Sequence, residues 1–172
     1  MSGEQQNQNP AGSVQPNPEN ETASKDIFVV SSERDEINTD CLNVLKNFGI
    51  NAIVINFPDQ HLSLSEILGL HPRVKFGLII LAGDDFIYDR LTGKPGSAIL
   101  GAKANAVFHL GYLLGRFGHS GILAVYKEQK NFRFPTGLQN VSFVPYQKGG
   151  NWEQVLKSRL QKCGILSGSK AS

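Results

Sequence analysis

Ser97-Ala-Ile-Leu-Gly-Ala-Lys-Ala-Asn-Ala-Val-Phe-His-Leu-Gly-Tyr-Leu-Leu-Gly-Arg-Phe-Gly-His-Ser-Gly-Ile-Leu-Ala-Val-Tyr126 decides how this 172-residue chain folds. The stretch predicts a long helix followed at once by a buried strand at Gly121 to Tyr126. At 100° per residue, Asn105, His109, Tyr112 and Arg116 fall in one polar stripe, with Val107, Leu110 and Leu114 opposite. A polar stripe on a mostly apolar helix needs explaining: His109 could line a ligand cleft or be a partly buried histidine that satisfies a neighbour.

Working outward, the same alternation of strand and helix recurs. Asp26 to Val30, Asn51 to Asn56, Phe76 to Ala82 and Val141 to Val144 are short apolar runs of the kind that suit strands buried on both faces. Between them lie amphipathic segments. One runs from Glu36 to Phe48 and is closed by Gly49, with Ile37, Cys41, Leu42, Leu45 and Phe48 inward. A weaker one runs from Ser63 to Leu70 and stops at His71-Pro72. The last runs from Trp152 to Cys163, with Trp152, Val155, Leu156 and Leu160 inward. Five strands alternating with helices imply an α/β, flavodoxin-like three-layer sandwich around a five-stranded parallel sheet.

Residues 1–24 are rich in Gln, Asn, Pro, Glu and Gly and read as a disordered tail, as do residues 167–172; the folded domain spans 25–166. Ile87 to Ser97 and Lys127 to Leu138 read as irregular loops. Forty per cent hydrophobic and 19% charged residues describe an ordinary globular chain, and a net charge of +2 lacks the dense basic patch of a nucleic-acid binder. Without a signal peptide or an apolar run of membrane-spanning length, a soluble cytoplasmic protein is expected. The two cysteines, Cys41 and Cys163, lie far apart with no neighbouring ligands at metal-binding spacing, so buried reduced thiols are expected and no metal site.

Ligands of open parallel sheets bind outside the carboxyl ends of the strands, where the strand order reverses. With the order 2-1-3-4-5 that point lies between the first and third strands. Ser31, Ser32 and Arg34 on one lip and Asp84 and Asp85 on the other become the candidate site. Ser and Arg at a helix start suit phosphate, or simply cap the helix. Aspartates after a strand suit a ribose, a metal or a turn. Arg90, Lys94 and Lys103 could steer an anion or be solvated charges. Phe132 and Phe134 could stack on a base or cover the sheet edge.

From Ile27 to Ile165 the chain resembles the bacterial TIR-like predicted nucleotide-binding domains, some of which are effectors in anti-phage nucleotide signalling. The strand ending Leu81-Ala82-Gly83-Asp84-Asp85 is similar to that family's Leu-Thr-Pro-Asp-Asp. Gly101-Ala102-Lys103-Ala104-Asn105-Ala106-Val107-Phe108-His109-Leu110-Gly111-Tyr112 is similar to its Arg-Ala-Arg-Gln-Asn-Val-Val-Phe-Glu-Leu-Gly-Tyr. A later Pro-Ser-Asp-Ile-Gly corresponds loosely to Phe134-Pro135-Thr136-Gly137-Leu138. The resemblance implies NAD⁺ or a related nucleotide as ligand or substrate, with no other cofactor required, and a homo-oligomer as a possible partner. It places Asn105 and Tyr112 on the nucleotide-facing side and puts His109 where the family has the glutamate associated with NAD⁺ glycohydrolase activity. Cleaving the nicotinamide–ribose bond develops positive charge on the ribose, which a carboxylate stabilises and an imidazole does not. Gly101 and Ala104 also depart from the pattern.

Two functions follow as expectations. One is a TIR-like domain that binds a nucleotide and acts by binding or self-assembly, with cleavage weak or absent. The other is an active NAD⁺ glycohydrolase that uses Glu33, Glu66, Asp84 or Asp85 instead. A phosphoacceptor receiver domain fits less well, because the first strand lacks the acidic pair and the last lacks Lys-Pro. A ligand-free oligomerisation domain is the remaining class.

Overall fold

The computed structural model describes residues 24–31, 36–56, 62–83, 85–87, 99–138 and 140–167. Residues 1–23 and 168–172 of the two tails, together with Ser32, Glu33, Arg34, Asp84, Arg90 and Lys94, lie outside the described residues.

Five strands form the central sheet: β1 (Asp26–Ser31), β2 (Asn51–Asn56), β3 (Gly77–Leu81), β6 (Ile122–Tyr126) and β8 (Phe143–Pro145). Every pairing is parallel, in the order β2-β1-β3-β6-β8. The expected three-layer α/β architecture is therefore the observed one, and the order reverses between β1 and β3. Four helices cover the faces: α1 (Glu36–Asn47), α2 (Leu64–Leu70), α3 (Ala104–Phe117) and α4 (Asn151–Lys162).

Period-two alternation divides the strands between two cores. Ile27, Val29, Leu78, Ile80, Leu123 and Val125 face Ile37, Cys41 and Leu45 of α1 and Trp152, Leu156 and Leu160 of α4. Phe28, Val30, Ile79, Leu81, Ile122 and Ala124 face Leu64, Ile67 and Leu68 of α2 and Ala106, Leu110 and Leu113 of α3. Because β1, β3 and β6 are buried on both faces, their apolar runs are continuous rather than alternating.

The two elements at either side of α3 correct the sequence reading. The helix begins at Ala104, not near Ser97, and Ile99–Gly101 form a strand, β5. It pairs antiparallel with β4 (Asp85–Ile87) and parallel with β7 (Phe132–Arg133), which lies inside the stretch read as irregular. A three-residue strand carries too little periodicity to separate from a loop, and its partners are far away in sequence. The remainder of the first expected loop, residues 88–98, lies outside the described residues.

Candidate functional site

The carboxyl edge of the sheet is assembled from the ends of β1, β3 and β6. Register pairs Ser31 with Ile80 and Leu81 with Tyr126, which brings Ser31 and Gly83 to the reversal point predicted for the ligand. Ser31 is buried, at 2% exposure, although it is polar and terminal in its strand. The Lys127 N–H donates to the Leu81 carbonyl at 2.9 Å, and the Gly83 N–H donates to Gln129 Oε1 at 2.7 Å. These two bonds tie the segment after β6 to the end of β3. The small sheet is anchored to the same place, since the Leu100 N–H donates to the Asn131 carbonyl at 3.1 Å. Gln129 was not legible as a site residue, because its partner is a backbone N–H 46 positions away.

Of the expected site residues, Asp85 opens β4 opposite Gly101, in the small sheet rather than in a turn. Lys103 is the N-cap residue of α3 and makes no side-chain cap bond there. Ser32, Arg34 and Asp84 lie outside the described residues. Among the alternative carboxylates, Glu66 belongs to a capping box on α2. Ser63 N–H donates to Glu66 Oε2 at 2.7 Å and Ser63 Oγ at 2.6 Å, while the Glu66 N–H donates back to Ser63 Oγ at 3.4 Å. Those bonds hold its carboxyl below the usual range, the side-chain bond most of all.

The polar stripe on α3 is not a single face. Ala106, His109, Leu110 and Leu113 are buried, so the inward direction runs along that set. The stripe borders the buried face rather than opposing it: His109 is drawn into the interior at 4% exposure, while Asn105, Tyr112 and Arg116 are exposed. Arg116 also stands eleven residues from Asn105, roughly 16 Å along the axis, at the far end of the helix.

His109 Nδ1 lies against the carbonyl oxygen of Asn105, one turn back. A carbonyl only accepts, so Nδ1 carries a proton. Burial pushes the imidazole below its ordinary value of 6.5, against the opposing pull of the Asn105 carbonyl. The ring is therefore neutral at pH 7, with Nε2 in its acceptor form. The exposed Phe108 ring meets His109 edge-on at 5.3 Å and Tyr112 at 6.3 Å.

Beside the amino end of α3 lies a cavity of about 350 Å³, lined by Gly101, Ala102, Val107, Arg133, Phe134, Pro135 and Thr136. Its aromatic wall is part of a packed cluster. Tyr126 and Phe132 stack at 6.0 Å, and Phe134 sets its edge against Tyr126 at 4.7 Å and against Phe132 at 5.1 Å. Packing over the end of β6 accounts for Phe132, while Phe134 also faces the cavity.

Two similarities bear on this arrangement. A relative from Escherichia coli (strain K12), the uncharacterized protein YuaY, is 23% identical over 150 residues, covering 83% of this chain and 46% of the relative. The chain thus spans about half the length of that curated relative. The model of a family described as CAP12/Pycsar effector protein, TIR domain, matches residues 26–148, which run from the first residue of β1 past the end of β8. With that match over most of the chain, on a five-stranded parallel sheet reversing between β1 and β3, the protein belongs to the CAP12/Pycsar effector TIR-domain family.

Proposed function

We propose that this TIR domain binds NAD⁺ or a related nucleotide at the carboxyl edge between β1 and β3, and acts in defence signalling through binding or self-assembly with little or no NAD⁺ cleavage. His109 carries the reading. The resemblance of the α3 sequence puts the family's catalytic glutamate at this position, and here the side chain is a buried, neutral imidazole with its Nδ1 proton committed to the Asn105 carbonyl. A neutral ring supplies no negative charge to a developing ribosyl cation. Asn105 and Tyr112, exposed on the flanks of His109, are the side chains offered to the rest of the ligand, with Lys103 at the helix start. Of the carboxylates that could substitute, Glu66 is already engaged by Ser63.

The test is incubation of the purified protein with NAD⁺, following nicotinamide release by chromatography alongside calorimetry of NAD⁺ and ADP-ribose. Binding heat without release above the blank is expected. Sustained turnover would overturn the reading. Absence of heat with either ligand, together with assemblies in light scattering, would instead identify a ligand-free oligomerisation domain.

A further inference from the structure

The opposite edge of the sheet carries a second cavity, of about 440 Å³, that the nucleotide reading leaves without a role. Pro72, Lys75, Arg116, Phe117, Gly121 and Cys163 are among its lining residues. It sits where β3 and β6 begin and α3 and α4 end, so roughly 15 Å of strand separates it from the carboxyl edge.

Its floor is built to close tolerance. A Cβ placed on Gly121 would stand 2.6 Å from Phe117 Cβ and 2.8 Å from the Lys75 carbonyl oxygen. Only a glycine lets the end of α3 and the approach to β3 close on each other there, and that contact fixes the backbone from which Lys75 and Phe117 project. The Phe117 ring stacks on Phe28 at 6.2 Å, and the Arg116 guanidinium lies 5.9 Å from the centre of the Phe117 ring. The cavity therefore combines an anchored aromatic wall with two exposed cations, and no carboxylate is among its lining residues.

The surrounding charge has the same sign. Among the described residues, Asp26 is the one carboxylate on this edge, and Ser24 Oγ and Asn51 Nδ2 already donate to it, at 3.1 and 2.9 Å. Arg116, Arg159 and Lys162 stand in the last turns of their helices, where the carbonyl ends accommodate positive charge. Helix dipoles do not account for Lys75 or Arg73, which lie outside any helix on the approach to β3. Their charge remains available to a ligand.

We propose that this cavity binds a small organic anion, an aromatic body carrying a phosphate or carboxylate, with the body against Phe117 and Pro72 and the charged head between Lys75 and Arg116. The volume falls in the range of small-molecule sites, and a few convergent polar groups on an apolar wall are their usual composition. The proposal stands independently of nucleotide binding at the other edge.

Cys163 provides the readout. It lines the cavity and its Sγ donates to the Ser120 carbonyl at 3.4 Å, whereas Cys41 is fully buried, so alkylation of the folded protein marks Cys163 alone. The thiol is held protonated by burial, so labelling with a maleimide is run at pH 8.5 and read by peptide mass spectrometry. Saturating 1-naphthyl phosphate or 1-naphthoate is expected to slow labelling at least threefold, and the stronger of the two identifies the preferred head group. Neutral 1-naphthol is expected to protect weakly, and inorganic phosphate less than naphthyl phosphate. The Lys75→Gln/Arg116→Gln variant, checked for an unchanged melting temperature, should weaken naphthyl phosphate binding about tenfold in calorimetry, and raising KCl should weaken the wild-type interaction. Protection by neither anion, equal protection by naphthol, or an unchanged Kd in the double variant would overturn the proposal.

Discussion

The Nδ1 proton of His109 is donated to the carbonyl oxygen of Asn105 one turn earlier in α3, so the buried ring takes a single tautomer and meets the interior as a neutral group. That relationship couples the candidate site to the stability of the helix that carries it.

Acidification should expose the coupling. The folded-state pKa of His109 is depressed below 6.5, mainly by burial. For a histidine this means that the unfolded chain binds more protons than the native one as pH falls, so the stability from keeping the ring neutral is present above about pH 6.5 and is lost below it. In thermal melts from pH 8 to pH 5, the difference between the wild type and His109→Gln should be steady down to about pH 6.5 and then shrink. Contributions common to both proteins cancel in the difference. A gap that stays constant to pH 5 would show that the ring gains a compensating partner when charged.

Glu66 should behave as a structural carboxylate. Removing its partner with Ser63→Ala should cost about 1 kcal/mol, the usual worth of an N-cap hydroxyl. Because the Glu66 pKa is depressed, the capping contribution is present above the ordinary carboxylate range and is lost as pH falls through the lowered value. Glu66→Gln should therefore lower the melting temperature at pH 7 while leaving nicotinamide release at the wild-type level, whatever that level is. A fall in release with unchanged stability would make Glu66 catalytic instead.

At the carboxyl edge, Gly83 and Gln129 should prove to be one unit. Gln129→Ala leaves the Gly83 N–H without the side-chain oxygen that now accepts it, a loss of roughly 0.5–1.5 kcal/mol for a neutral hydrogen bond. The expected result is faster amide exchange at Gly83 and around Asn131, with little change in the centre of β3. Gly83→Ala should give the same signature by a different route, since a Cβ there would overlap the Gln129 carboxamide and meet Leu100 Cβ at 3.1 Å. The Gln129 side chain can swing away, so the effect should stay local.

How far these features could be read from the sequence follows from how local their causes are. The five sheet strands, their order and the four helices were legible, because runs such as Phe76 to Ala82 and the i, i+4, i+8 spacing of Ile37, Cys41 and Leu45 each carry the pattern within a few residues. The small sheet was not, since Ile99–Gly101 becomes a strand only through partners at Asp85–Ile87 and Phe132–Arg133. The stripe on α3 was half legible. Its four residues do share a narrow arc, yet the direction of the core is set by the sheet under Ala106 and Leu113, so His109 turned inward while Asn105 and Tyr112 stayed out. Gln129 and the cavity at Lys75 and Arg116 depend entirely on tertiary approach and left no signature in composition or spacing.

The tightest of those approaches gives the last prediction. Gly121 is buried where the 3-10 turn at His119–Gly121 leads into β6, and its missing side chain is replaced by Phe117 Cβ and the Lys75 carbonyl. Neither can swing aside, since one is the root of a side chain on α3 and the other is backbone. Gly121→Ala must therefore push α3 away from the start of β3, an overpacking change worth about 1–3 kcal/mol. For a chain of this size that corresponds to a fall in melting temperature of roughly 2–12 °C. Gly111→Ala is the control: a Cβ there meets nothing within 4 Å, and in an exposed helix interior alanine is favoured over glycine by up to about 1 kcal/mol. Opposite shifts in differential scanning calorimetry are expected, down for Gly121→Ala and up for Gly111→Ala. Equal shifts would mean that helix propensity, not the close approach beneath α3, governs this end of the domain.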